Sequence, residues 1–303
     1  MLHIAYCFDG KYEQHFGASL MSLLLNSRGS GTDLCIHAVT DSGNPALREK
    51  LSRLARIFKA SINLVLIKPE ETLRFAGLPV TTTGQNYLSQ AAWSRILLPK
   101  ILPAGIQRVL YLDSDTIVRT DLKELFDIDM KGAPVAAAID FCSEEMSARL
   151  QLKQYVNSGV LLIDAQRWRK NDYVSRCLEH ALKTREKNLY ADQCAINTFF
   201  ADKIFLLEQK WNRFVLAQES SLQPQEAAIL HFITADKPWQ AWYENPLSHL
   251  YWKYLDVSPW AGAKPELPQT METARRLVRL LHSQGKGLEA VRLYESILAS
   301  LNR

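Results

Sequence analysis

The chain has no stretch of about 20 apolar residues, so the sequence predicts no membrane-spanning helix. No basic segment precedes a long apolar one at the amino terminus, where a strand-like run begins at once. That pattern predicts no signal peptide and a cytoplasmic protein. Cysteine is sparse. Cys7, Cys35, Cys142, Cys177 and Cys194 are odd in number, scattered, and form no Cys-x-x-Cys pair. The expectation is free thiols in a reducing compartment, not a disulfide framework or a zinc site. A Gly-x-Gly-x-x-Gly run is missing after the first strand-like segment, which argues against a conventional dinucleotide site. A Gly-rich triphosphate loop is missing there too, which argues against a nucleotidyltransferase. The net charge of +4 comes from well-mixed signs and is too small to suggest a nucleic-acid partner. Internal repeats and low-complexity segments do not stand out.

What the chain does have is 303 residues, 47% of them apolar. That is enough for one large α/β domain with a small extension. Residues 2–8 read as a strand, followed by an Asp9-Gly10-Lys11-Tyr12 turn. A helix over 12–26 carries Phe16, Leu20, Leu23 and Leu24 at helical spacing, and Gly29-Ser30-Gly31 ends it. A second strand over 34–40, a helix over 45–59 with Leu47, Leu51, Leu54 and Phe58 on one stripe, and a third strand over 62–67 follow. This strand-helix alternation predicts a parallel sheet with right-handed crossovers. Residues 69–84 read as a loop, mobile at Thr81–Gly84, and 88–98 as a helix carrying Trp93 and Arg95. A short helix is expected over 121–126 and an apolar strand over 134–139, ending in Asp140. Another strand spans 160–163. Helices follow over 165–170, 173–187 and from Tyr190-Ala191-Asp192-Gln193. Strands at 204–207 and 228–232 and an amphipathic segment at 246–255 complete this part.

The central stretch is 106–119, Ile-Gln-Arg-Val-Leu-Tyr-Leu-Asp-Ser-Asp-Thr-Ile-Val-Arg. Val109, Leu110, Tyr111 and Leu112 suit a short buried strand. At its end Asp113 and Asp115 are alternate residues, and in extended chain alternate side chains point the same way. Two carboxylates aimed at one point repel, and a divalent cation relieves the repulsion. The carboxyl end of a strand in an open α/β sheet is also where ligands bind. Asp-x-Asp pairs also occur in ordinary loops and helix caps, so the tripeptide needs company to mean more.

It has that company. Asp9-x-x-Tyr12, Ala92-Trp93-Ser94-Arg95, Leu110–Asp115, Asn157-Ser158-Gly159 leading into Val160–Ile163, Asp192-Gln193, and His231-Phe232 followed by Lys237-Pro238-Trp239 occur in that order. Over roughly residues 1–255 the chain resembles glycosyltransferase family 8, with greatest likeness to the bacterial lipopolysaccharide-core glucosyl- and galactosyltransferases. The resemblance implies a single Rossmann-like α/β domain of GT-A type with a mixed, mostly parallel central sheet, spanning 1–257. It further implies a retaining hexosyltransferase with UDP-glucose or UDP-galactose as donor and Mn2+ or Mg2+ as cofactor. Asp113, Asp115 and His231 would hold the metal, an O/N ligand set suited to such a cation. Lys237 and the metal would stabilise the departing diphosphate, with Ser114 beside them. Asp9 would accept from the uracil and Tyr12 stack on it. Arg95, Asp140, Asn157, Asp192 and Gln193 would contact hexose or acceptor.

Gln193 falls beneath the anomeric carbon by resemblance and is a poor nucleophile. Front-face substitution is therefore favoured, with Asp192 as a covalent nucleophile the second option. Lys11 stands where relatives often have an amide, Thr234 where many have glycine, and Cys194 where some have an acid. Alternatives within the family are a glycogenin-like or an inositol galactosyltransferase. A nucleotide-sugar-binding protein that has lost transfer is the alternative outside it. The expected acceptor is a lipid-linked oligosaccharide, walled by 81–85, 141–155 and 216–223.

Beyond Ser258-Pro259, Gly262, Pro265 and Pro268 mark a linker into a helical extension, 258–303, with helices expected over 271–282 and 288–301. From 271 onward six basic residues face three acidic ones, a net +3. Arg275, Arg276 and Arg279 lie close in helical space. A basic amphipathic helix suits peripheral contact with an anionic membrane; a hairpin packed on the main domain is the equal alternative.

Overall fold

The computed structural model describes residues 1–27, 33–78, 90–216 and 227–301. The expected loop at Thr81–Gly84, the Gly29-Ser30-Gly31 helix end and two of the three acceptor walls, 81–85 and most of 216–223, lie outside the described residues.

Among the described residues, ten strands form two sheets: β1 (Leu2–Phe8), β2 (Leu34–Thr40), β3 (Ser61–Leu66), β4 (Arg108–Leu112), β5 (Thr116–Val118), β6 (Val135–Ala138), β7 (Val160–Asp164), β8 (Ile204–Leu207), β9 (Arg213–Phe214) and β10 (Ile229–His231). The main sheet runs β3-β2-β1-β4-β7-β6-β8. Its pairs are parallel except where β7 meets β4 and β6. The mixed, mostly parallel sheet expected from the sequence is therefore what the chain forms. The order reverses between β1 and β4, which opens a crevice at their carboxyl ends. In the smaller sheet, β5-β10-β9, β10 is the strand expected at 228–232; β5 and β9, three and two residues long, and their pairing with it were not expected.

The apolar alternation explains how the layers form. Leu110, Leu112, Val160 and Leu162 face one core; Val109, Tyr111, Leu161 and Ile163 face the other. Because both faces of β4 and β7 are covered, these strands read as unbroken apolar runs. Helices α1 (Glu13–Asn26) and α2 (Pro45–Phe58) back the first half. In α2 the Asn44 side chain accepts from Leu47 N–H at 2.8 Å, and Leu47, Leu51 and Leu54 are buried. The expected loop at 69–84 instead begins with a helical turn, α3 (Pro69–Thr72): Pro69 at its first position is preset for helix. Then come α4 (Ser94–Ile101), α5 (Lys123–Phe126) and α6 (Ser143–Leu150), the last absent from the sequence reading. Helices α7 (Ala165–Lys170), α8 (Tyr173–Lys183), α9 (Ala191–Phe200) and α10 (Ser248–Asp256) complete the layers.

Helices α11 (Met271–Ser283) and α12 (Gly287–Leu301) pack on each other as a hairpin. Thr270 and Thr273 form a reciprocal cap at the start of α11. Arg276 on α11 makes two 3.0 Å contacts to the Asp236 carboxylate, tying the hairpin to the main domain. Among the described residues no helix is long and apolar enough to cross a membrane.

Candidate active site

β4 ends at Leu112, and the chain then turns from the main sheet into β5 of the small one. Asp113 and Asp115 sit in that turn. β10 pairs antiparallel with β5, placing His231 opposite Thr116, and Phe232 N–H donates to Asp115 O at 3.1 Å. Strand pairing thus brings in a histidine more than a hundred residues distant. His231 Nε2 lies 3.1 Å from Asp115 Oδ1 and 3.6 Å from Asp113 Oδ2. One ligand atom from each of the three falls within 4.8 Å of the others.

The reversal of β7 supplies the opposite wall. Because β7 runs against β4, its amino end lies at β4's carboxyl end, and Asp113 N–H donates to Gly159 O at 2.8 Å. Asn157-Ser158-Gly159 therefore belongs to the site and is not a remote turn. Gly159 has no substitute here: a Cβ would lie 2.1 Å from His231 Cε1 and 2.6 Å from Asp113 Oδ2.

A hydrogen-bond chain orients the imidazole. The Asp140 carboxylate can only accept, so Asn157 Nδ2 donates to it at 2.9 Å. Asn157 Oδ1 then accepts from Gly159 N–H and from Asn212 Nδ2, each at 2.9 Å. That leaves Asn212 Oδ1 as acceptor for His231 Nδ1, also at 2.9 Å. With its proton on Nδ1, His231 presents the Nε2 lone pair toward Asp113 and Asp115. Asn212 was missed in the sequence. It follows Trp211 in a stretch without periodicity, and the only signal would have been its place shortly before the strand that carries His231.

Arg95 is buried and bridges the two carboxylates of the opposite side. It lies 3.1 Å from Asp113 Oδ1 and 3.1 Å from Asp192 Oδ2, and donates to Ser158 O at 2.7 Å. Its guanidinium stacks over Tyr111, whose hydroxyl donates to Asp113. Burial pushes the Asp192 carboxyl up to about 6, against the pull of Arg95. Asp115 goes the other way: burial would raise it, but the Lys237 ammonium beside it holds it well below the usual carboxylate range. Lys237 Nζ lies 2.7 Å from Asp115 Oδ2 and donates to Phe232 O at 2.6 Å.

Gln193 is held from two sides, accepting from Ser158 N–H at 3.0 Å and donating to Asp140 Oδ2 at 3.2 Å. Asp9 caps its own turn, accepting from Lys11 and Tyr12 N–H through one oxygen. Tyr12 packs edge-on against Trp239, which stacks on His15 with centroids 3.5 Å apart. Ser114 Oγ is buried without a protein partner. The Thr234 hydroxyl donates to Asp236 O within its own loop. Cys194 is buried beside the Tyr155 hydroxyl. All twelve residues nominated from the sequence line one cavity of about 560 Å³ at the β1/β4 crevice.

An open α/β sheet with an Asp-x-Asp-His cluster at its switch point defines a glycosyltransferase of GT-A architecture. The chain belongs to glycosyl transferase family 8, whose pattern matches residues 3–243. It is similar to a lipopolysaccharide 1,2-glucosyltransferase of Escherichia coli K12, 26% identical and covering 92% of this chain and 85% of that one. It is also similar to a lipopolysaccharide 1,3-galactosyltransferase of Salmonella typhimurium, 25% identical over 96% and 89%. Among solved structures, the galactosyltransferase LgtC, in complex with donor and acceptor sugar analogues, superposes with a TM-score of 0.72. The two are 20% identical, over 88% of this chain and 98% of LgtC.

Proposed function

We propose that the protein is a retaining, metal-dependent hexosyltransferase moving glucose or galactose from a UDP-sugar to a lipopolysaccharide-core or lipooligosaccharide acceptor. The observation that carries this reading is the convergence of Asp113, Asp115 and the oriented His231 Nε2 beside Lys237. Two carboxylates and one imidazole fit Mn2+ or Mg2+, and Asn212 holds the imidazole for that use. Bound there, such an ion would offset the charge that builds on the diphosphate as the glycosidic bond breaks.

The chain's own residues do the rest. Lys237 sits close enough to share its charge between Asp115 and a diphosphate oxygen. Tyr12 offers a ring face to the base, worth about 1–3 kcal/mol per stacked base. Asp140, Asn157 and Gln193 hold one another and present the amides and carboxylate that read sugar hydroxyls. Asp192 spends one oxygen on Arg95 and is 2% exposed. That pairing leaves it a poor nucleophile and favours front-face departure, in which the leaving phosphate takes the acceptor's proton.

Phe141, 63% exposed at the cavity mouth, is suited to lie under an acceptor sugar ring. The α11–α12 hairpin exposes Leu288, Val291 and Tyr294 near its arginines, which suits an anionic membrane surface carrying a lipid-linked acceptor. The test is donor hydrolysis without acceptor across nucleotide-hexoses, with Mn2+ and with EDTA. UDP release from one UDP-hexose, abolished by EDTA, is the expected result. Turnover of no donor, together with no donor-induced thermal shift, would reverse the reading.

A further inference from the structure

A second cluster lies at the other end of the sheet. His3 on β1 pairs in register with Cys35 on β2, and His37 follows two residues later on the same face. On β3, Ser61 and Asn63 stand opposite Cys35 and His37. His3 Nδ1 is 3.2 Å from His37 Nε2, and Cys35 Sγ is 3.7 Å from the same Nε2. All three donor atoms lie within 4.8 Å of one another. β1 runs from His3 at this end to the Asp9 turn at the donor cavity, about 20 Å at the usual strand rise.

We infer that His3, Cys35 and His37 form a three-ligand site for a borderline-soft divalent cation of the zinc class, separate from the hard-cation cluster at Asp113. Tetrahedral zinc with Zn–N near 2.0–2.1 Å and Zn–S near 2.3 Å places N and N about 3.4 Å apart and N and S about 3.6 Å apart. The two separations from His37 Nε2, 3.2 Å to His3 Nδ1 and 3.7 Å to Cys35 Sγ, are already close to these. His37 Nε2 is in reach of two groups, while its Nδ1 is buried without a partner. With Nε2 unprotonated, His37 could share a cation with His3 Nδ1 and Cys35 Sγ, since the donor atoms of the three residues lie within 4.8 Å of one another.

Asn63 Nδ2 donates to Cys35 Sγ at 3.4 Å, and the Ser61 hydroxyl lies 3.7 Å from it. Both can support a thiolate. Asn63 and Ser61 are exposed and His3 is half-buried, so ions have a path in and a solvent molecule can complete the shell. Soft thiolate with two imidazoles selects a different metal from the carboxylate-rich cluster. No short stretch of chain announces this cluster, since it needs two neighbouring strands to assemble.

The test is Co2+ titration of the full chain, read by thiolate-to-cobalt charge-transfer absorption. One equivalent should produce the band in the wild type and in Asp115→Asn. Cys35→Ser should abolish it. His3→Gln, at a half-exposed position that leaves the core intact, should weaken Co2+ binding by more than about tenfold while UDP release with Mn2+ stays unchanged. A wild type without the band overturns the proposal, as does a band that survives in Cys35→Ser or an affinity unchanged in His3→Gln.

Discussion

Asn212 Oδ1 lies 2.9 Å from His231 Nδ1, and that contact decides which imidazole nitrogen faces Asp113 and Asp115. Asn212 touches none of the three presumed ligand atoms itself, yet it completes a chain that starts at Asp140. Asn212→Ala should therefore raise the Mn2+ concentration needed for half-maximal activity about 10–100-fold. Part of the activity should return at high Mn2+. A metal dependence identical to wild type would show that His231 is oriented by other contacts.

Asp115→Asn removes one carboxylate from the cluster and the partner of Lys237 together. The expected loss of transfer is about 100-fold or more, with folding near normal by circular dichroism. His231→Ala should behave alike. Near-native turnover in metal-free buffer would refute the metal assignment for both.

The Arg95–Asp192 pair predicts an acid limb in the rate profile. Below the value of about 6 to which burial pushes it, Asp192 takes up a proton and the ion pair with Arg95 weakens. Transfer should decline through that pH, and Asp192→Asn should show lower activity without that limb. Stability moves the opposite way. Between the usual 3.8 and about 6 the native state binds this proton more tightly than the unfolded chain does, so its contribution to stability falls as pH rises. A wild-type limb unshifted in Asp192→Asn would assign it to another group.

His15 sets a second slope. Burial lowers it to about 3 from the usual 6.5, and it stacks on Trp239 and bonds to Tyr251 at 2.7 Å. The unfolded chain gains this proton first on acidification. Stability from His15 is therefore present above 6.5 and is lost as pH falls toward 3. Thermal midpoints of His15→Gln should fall less than those of wild type between about pH 7 and about pH 5. Equal falls would remove His15 from the account.

Deleting 271–303 should lower binding to anionic vesicles while UDP release persists. Unchanged vesicle binding would mean that the hairpin only packs, through contacts such as Arg276–Asp236.

Much of this was legible because it is local. Continuous apolar runs marked β1, β2, β4 and β7, and Asn44, Pro45 and the leucine stripe marked α2. β5, β9 and α6 were not, although β10 was. Two- and three-residue strands carry too little pattern, and in α6 Met146 alone is buried, so no apolar stripe announces it.

By itself the sequence determined the alternation that builds two cores on one sheet, and the Asp113/Asp115 pair at a strand end. Side-chain direction follows from periods of 2 and 3.6 without help from distant residues. What meets that pair depends on the packing of distant segments. The reversal of β7 carries Ser158 and Gly159 to it, the pairing of β10 with β5 delivers His231, and Asn212 fixes the proton on that ring. Each depends on which segments lie side by side, a choice made by long-range burial that no short stretch of chain encodes.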